Sequence, residues 1–209
     1  MRKTHLFALI LLSFSVFTWA QEKQIEISEI YQGAFRTDGM DALRSMKNGT
    51  QYTVLNRNRF NQTTTVDKYD YKTLNKVSTI VSSADLQGIS SFSAYSFSDD
   101  EKKIILSTEI EPIFRHSTLG IFYVYDIDAK EVIRISDAKI QEPTLSPDGK
   151  NVAYVKDNNI YLFNIVTGET KQVTVDGVKN EIINGVTDWV YEEEFAFVRA
   201  FEWNADGSK

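Results

Sequence analysis

From residue 41 onward, short runs rich in Val, Ile, Phe, Tyr and Thr alternate with polar turn signals. Residues 151–155, Asn-Val-Ala-Tyr-Val, follow Leu145-Ser146-Pro147-Asp148-Gly149-Lys150. In that frame Pro147-Asp148-Gly149 predicts a tight β-turn, with Pro setting φ at the second position and Gly closing it. The frame recurs. Ser98-Asp99-Asp100-Glu101 precedes residues 103–107, Met46-Lys47-Asn48-Gly49 precedes 51–55, and Asn204-Ala205-Asp206-Gly207 lies near the end. The equivalent turn positions, Gly49, Glu101, Gly149 and Gly207, are 52, 48 and 58 residues apart.

Between these turns the pattern predicts four strands per period. They are 41–46, 51–56, 63–71 and 76–82 in the first unit, 94–98, 103–108, 120–126 and 131–135 in the second, and 142–145, 151–155, 159–164 and 171–175 in the third. A period near fifty with four short strands predicts an all-β fold, a partial β-propeller of four-stranded antiparallel blades. A β-sandwich is the alternative, but sandwiches do not repeat their turn residues at a fixed period. By Lys209 the pattern has delivered about three and a half blades, so no ring closes within this stretch.

Composition narrows the chemistry. Thirteen Phe and ten Tyr among 209 residues suit strands. The net charge of -6 has the wrong sign for holding nucleic acid phosphates. With no cysteine and only His5 and His116, thiol nucleophiles are excluded and zinc or iron–sulfur centres lack ligands. No metal or cofactor is expected.

The first twenty residues need separate treatment. Arg2 and Lys3 precede an apolar run, residues 6–17, and Ala20 stands before Gln21. That order predicts a secretory signal over 1–20, because the run is nearer a dozen residues than the roughly twenty a bilayer needs. The expected domain is then 21–209, acidic, without a membrane span after signal cleavage, and periplasmic or secreted. A chain without thiols cannot mispair in an oxidising compartment.

Two departures from the repeat are the candidate chemistry, since propeller strands are committed to packing. One lengthens the connection between the second and third strands of unit two, residues 109–119. The other is segment 176–199, containing Thr187-Asp188-Trp189-Val190-Tyr191-Glu192-Glu193-Glu194-Phe195. If strands alternate up and down within a blade, both departures emerge on one face and the Ser-Pro-Asp-Gly turns on the other. Arg115 and the glutamates are therefore expected to converge, as a site for a zwitterionic or cationic ligand. The competing readings are a solvated glutamate run and an exposed Arg115 paired with Glu109 or Glu111. Trp189, Tyr191, Phe195 and Phe197 are expected to pin the run against the protein.

The string Asn184-Gly185-Val186-Thr187-Asp188-Trp189-Val190-Tyr191-Glu192-Glu193-Glu194 closely resembles the double-glutamate motif of the dipeptidyl peptidase IV family, serine exopeptidases of the prolyl oligopeptidase clan. Phe114-Arg115-His116-Ser117 resembles the family's substrate-binding arginine loop. The resemblance covers about residues 25–209. It implies the N-terminal part of an eight-bladed propeller that caps a C-terminal α/β-hydrolase domain missing from this chain, in a protein that commonly forms homodimers. It also implies release of N-terminal dipeptides, preferentially X-Pro or X-Ala, from peptides with a free N-terminus. Carried over, Glu193 and Glu194 bind the α-ammonium and Arg115 the carbonyl oxygen before the scissile residue, whereas Glu192 is nearly silent. No Gly-x-Ser-x-Gly elbow occurs in the 209 residues, so the Ser, Asp and His of a triad are expected beyond Lys209. The paired glutamates argue against a clan relative that releases tripeptides or acylated residues. A non-catalytic periplasmic propeller that binds a protein partner is the reading from a different class.

Overall fold

A computed structural model of the chain describes residues 24–37, 39 and 42–209. The expected leader at 1–20 lies outside the described residues. The chain divides into two compact units, Met1–Met40 and Asp41–Lys209. In the first, a one-turn helix α1 (Ile27–Tyr31) exposes its apolar side chains. Among the described residues no helix is long and apolar enough to cross a membrane.

The second unit is three four-stranded antiparallel sheets in sequence. Blade 1 holds β1 (Leu43–Ser45), β2 (Gln51–Arg57), β3 (Thr64–Asp70) and β4 (Lys76–Ser82). Blade 2 holds β5 (Ala94–Phe97), β6 (Lys103–Pro112), β7 (Thr118–Asp126) and β8 (Glu131–Arg134). Blade 3 holds β9 (Gln141–Leu145), β10 (Asn151–Lys156), β11 (Asn159–Asn164) and β12 (Thr170–Gln172). Strands adjacent in sequence are adjacent in space, the meander expected of propeller blades. Chain from Ala200 to Trp203 forms no strand, having no neighbouring strand among the described residues. It instead lies against blade 3, where the Trp203 indole donates to the Thr144 carbonyl at 3.1 Å.

The core lies between blades. Along β6, Ile104 and Leu106 face a cluster with Val66, Val81, Phe92 and Tyr95, while Ile105 faces the opposite way into a cluster with Ile140, Val152 and Phe163. Side chains alternate across a strand, so a sheet buried on both faces needs apolar residues at consecutive positions. That explains the unbroken Ile104-Ile105-Leu106.

The repeated turn is a hydrogen-bonded unit. In blade 3 the Ser146 hydroxyl donates to Asp148 Oδ1 at 2.6 Å, and the same oxygen accepts the Lys150 amide at 3.1 Å. Ser146 Oγ also accepts the Asn151 amide at 3.0 Å. Ser98 and Asp100 repeat all three bonds at 2.7, 3.1 and 2.9 Å. Gly49, Glu101, Gly149 and Gly207 all have positive φ, 58° to 71°, so the aligned positions share one backbone state. The side-chain bonds hold Glu101 there despite its Cβ.

The lengthened connection of blade 2 is not a loop but an extension of its strands. β6 has 10 residues and β7 has 9, against 6 each for β10 and β11. At roughly 3.3 Å per residue the hairpin overhangs the sheet by about 10 Å or more. A bulge between Thr108 and Glu111, with Glu109 at φ 50°, redirects it. Gly120 permits the bend, since a Cβ there would lie 2.3 Å from Ile110 Cδ1.

Candidate functional site

Arg115 sits at the tip of the β6–β7 hairpin, a tight reversal closed by the Ile113 amide donating to the Ser117 carbonyl at 2.9 Å. The glutamates lie on α2 (Trp189–Phe195), a seven-residue helix. The residues before the helix explain why it forms where it does. The Asn184 amide donates to the Asn158 carbonyl at 3.0 Å. Gly185, at φ 81°, passes so close to blade 3 that a Cβ would meet Val155 Cγ2 at 2.6 Å. Val186 pairs with Arg199, the Thr187 amide donates to the Val198 carbonyl at 3.0 Å, and the Thr187 hydroxyl donates to the Phe197 carbonyl. Asp188 then caps the helix, accepting the Tyr191 amide at 3.1 Å. Ala196, left-handed at φ 51°, ends it. Asn184 to Asp188 thus fasten the base of an excursion that presents the glutamates.

The two departures meet. Arg115 Nε lies 3.2 Å from Glu193 Oε2, with Arg115 70% exposed and Glu193 18%. Glu111 pairs with Lys139 at 2.5 Å instead of with Arg115. The Glu194 side chain is exposed and has no hydrogen bond or ion pair among the described residues. Arg115, Glu193 and Glu194 together carry one net negative charge, which one incoming cation would balance.

Glu192 is built in differently from its two neighbours. It is the one buried residue of α2, 1% exposed, and its Oε1 accepts the His116 amide at 2.6 Å and the Ser117 amide at 2.9 Å. Burial pushes its ionisation upward, but the amide hydrogen bonds from the hairpin tip oppose it, and the carboxyl is held below the usual carboxylate range. Nothing in the sequence names this contact, because the donors are backbone amides.

The aromatic residues behave differently from expectation. Trp189, Tyr191, Phe195 and Phe197 are all about half exposed or more, so they do not pin the run. The N-cap, the paired flanks and Glu192 do that. Beyond the C-terminal end of α2, residues 196–202 and Glu142 line a shallow concavity of about 780 Å³. Burial raises the Glu142 carboxyl above its usual range, opposed by Arg199 and reinforced by Glu192. Among the described residues no cluster of His, Cys, Asp and Glu has the makings of a metal site.

Blades of four antiparallel strands, with an arginine hairpin and a glutamate helix meeting beside them, define a partial β-propeller with one elaborated site. Residues 98–209 match the family described as Dipeptidyl peptidase IV (DPP IV) N-terminal region, and the chain belongs to that family. It is 34% identical over 116 residues to a probable dipeptidyl-aminopeptidase B of Neurospora crassa, covering 53% of this chain and 12% of the relative. It is 34% identical over 132 residues to the human prolyl endopeptidase FAP, covering 62% and 17%. Among solved structures it resembles Porphyromonas gingivalis dipeptidyl peptidase 4 with a TM-score of 0.79 and 36% identity, covering 89% of this chain and 27% of that one. The chain therefore spans about a quarter or less of the length of these relatives.

Proposed function

We propose that this propeller portion binds the free N-terminus of peptide substrates for an exported serine dipeptidyl peptidase that releases N-terminal dipeptides, with X-Pro or X-Ala preferred. The observation that carries the reading is the 3.2 Å Arg115–Glu193 pair with Glu194 unpaired beside it. A substrate ammonium would add charge-assisted hydrogen bonds to Glu193 and Glu194 and cancel the surplus negative charge. Arg115, with most of its guanidinium in solvent, would donate to the carbonyl oxygen of the first peptide unit. An ammonium anchored at a fixed distance from the nucleophile lets only the second peptide bond reach it, which is how a binding site produces exopeptidase behaviour.

The nucleophile must come from outside these 209 residues. They contain no Gly-x-Ser-x-Gly, and the one histidine after residue 20, His116, belongs to the arginine hairpin. Export rests on the leader pattern, and N-terminal sequencing that finds Gln21 first would support it. The relatives' names include both an aminopeptidase and an endopeptidase, so product analysis decides. Incubating the full-length protein with a decapeptide bearing Pro at its second position should yield the N-terminal dipeptide and the remaining octapeptide. Internal cleavage, a tripeptide product or an intact peptide would overturn the proposal.

A further inference from the structure

We propose that Glu192 is a positioning residue: its buried carboxylate fixes the tip of the β6–β7 hairpin against α2 and thereby sets the spacing between Arg115 and the Glu193–Glu194 pair. This deepens the peptide N-terminus reading and rests on it for its functional half.

The geometry leaves Glu192 few other roles. Its side chain is sealed from solvent, so it cannot itself meet a substrate ammonium as its exposed neighbour Glu194 can. A single oxygen, Oε1, takes both tip amides, His116 at 2.6 Å and Ser117 at 2.9 Å, across a sequence separation of 76 and 75 residues. The amide of His116 belongs to the peptide unit directly after Arg115, so holding it holds the Arg115 Cα. The tip's own closure, Ile113 to Ser117, is local to the hairpin and does not tie it to the helix. The remaining tie, Arg115 to Glu193, is a mostly exposed pair, and such pairs contribute little rigidity of their own. Because α2 places Glu192 and Glu193 at adjacent positions, a tip anchored to one is held at a fixed offset from the other.

This role makes a distinctive demand on the side chain: an acceptor oxygen at the right reach, whose hold on the two amides the charge strengthens but does not create. Glu192→Gln keeps the oxygen. Glu192→Asp keeps the charge but withdraws the oxygen by one methylene, roughly 1.5 Å, too far to hold both amides at hydrogen-bond distance. In the full-length protein, hydrolysis of a Gly-Pro chromogenic dipeptide should show KM raised about tenfold or more by Glu192→Ala and by Glu192→Asp, with kcat changed less. Glu192→Gln should recover most of that loss. Hydrogen exchange read at His116 and Ser117 should accelerate in the Ala and Asp variants while exchange in the blade cores stays slow. Should the Ala variant not fold, the Asp variant carries the same test. Glu192→Gln as damaging as Glu192→Ala would mean that the charge itself is used, and would overturn the proposal. So would unchanged KM and unchanged tip exchange in the Asp variant. If the wild type released no dipeptide, the functional reading would fail, while the exchange of the tip amides would still decide whether Glu192 anchors them.

Discussion

Asp67 in blade 1 and Glu192 on α2 are both buried carboxylates held below their usual ionisation range, yet they are satisfied in opposite ways. Asp67 sits mid-blade on β3. Its oxygens accept from Asn56 at 2.8 Å, Thr65 at 3.0 Å and Thr79 at 2.7 Å and pair with Lys76 at 2.9 Å, all within twelve residues of it. Burial opposes its charge, and Lys76, Thr79, Asn56 and Thr65 together prevail. Glu192 instead takes two backbone amides from the hairpin tip, 75 and 76 residues away. The first carboxylate joins strands whose ladder already holds them. The second joins two departures from the repeat that no ladder connects. Removing Asp67 should therefore be felt in stability, and removing what surrounds Glu192 in the geometry of the site.

The largest effect is expected at Glu193 and Glu194. In the full-length protein Glu193→Gln and Glu194→Gln should each lower kcat/KM for dipeptide release by about thirtyfold or more, as losing one partner of a desolvated charge pair costs about 2–5 kcal/mol. Their melting temperatures should barely move. A loss of melting temperature equal to the loss of activity would place these residues among the supports of the fold.

Next comes Asp67→Ala, which strands Asn56, Thr65, Thr79 and Lys76 without their acceptor and should cost about 2–4 kcal/mol of stability. Activity per folded molecule should be retained. The same residue predicts a pH dependence. Its folded-state pKa is depressed, as is that of Glu192, so the stability they contribute is present above the usual carboxylate range and is lost as pH falls through the folded values. Thermal melts between about pH 7 and pH 3 should decline at the acidic end, and Asp67→Asn should flatten that decline. An identical slope in the variant would contradict the assignment.

Gly185→Ala should cost about 1–3 kcal/mol, from overpacking against Val155 and Ile160 together with positive φ. It differs from Asp67→Ala in striking stability and site together, because Gly185 fastens the base of the α2 excursion. Chemical denaturation and dipeptide kinetics on one preparation distinguish the two cases. The smallest effect is expected at Glu142, whose carboxyl burial raises. An acid with a raised folded-state pKa costs stability above its usual range, so Glu142→Gln should leave the melting temperature at pH 7 unchanged or raise it by a few degrees. A clear drop would indicate a partner that depends on its charge.

What was legible in the sequence follows the same division between local and distant bonds. The turn repeat could be read because Ser146, Asp148 and Asn151 satisfy one another within five residues, and a bond that short leaves its mark in adjacent letters. The meeting of Arg115 with the glutamates was legible from strand parity alone. The hairpin extension was not, because its bulge places Glu109, not a glycine, at positive φ. Half-exposed Trp189, Tyr191 and Phe195 show that an aromatic next to a charged run need not be its anchor. Glu192 looked silent for a simpler reason. Its partners are amides, which every residue but proline carries and no letter distinguishes.

Whether the Arg115–Glu193–Glu194 cluster anchors a substrate ammonium is decided by presenting the full-length protein with one peptide in two forms, free and N-acetylated, both with Pro at the second position. Efficient dipeptide release is expected from the free form, with a kcat/KM lower by about two orders of magnitude or more for the acetylated form. Equal cleavage of the two would contradict such anchoring, whatever the variants at Glu193 and Glu194 showed.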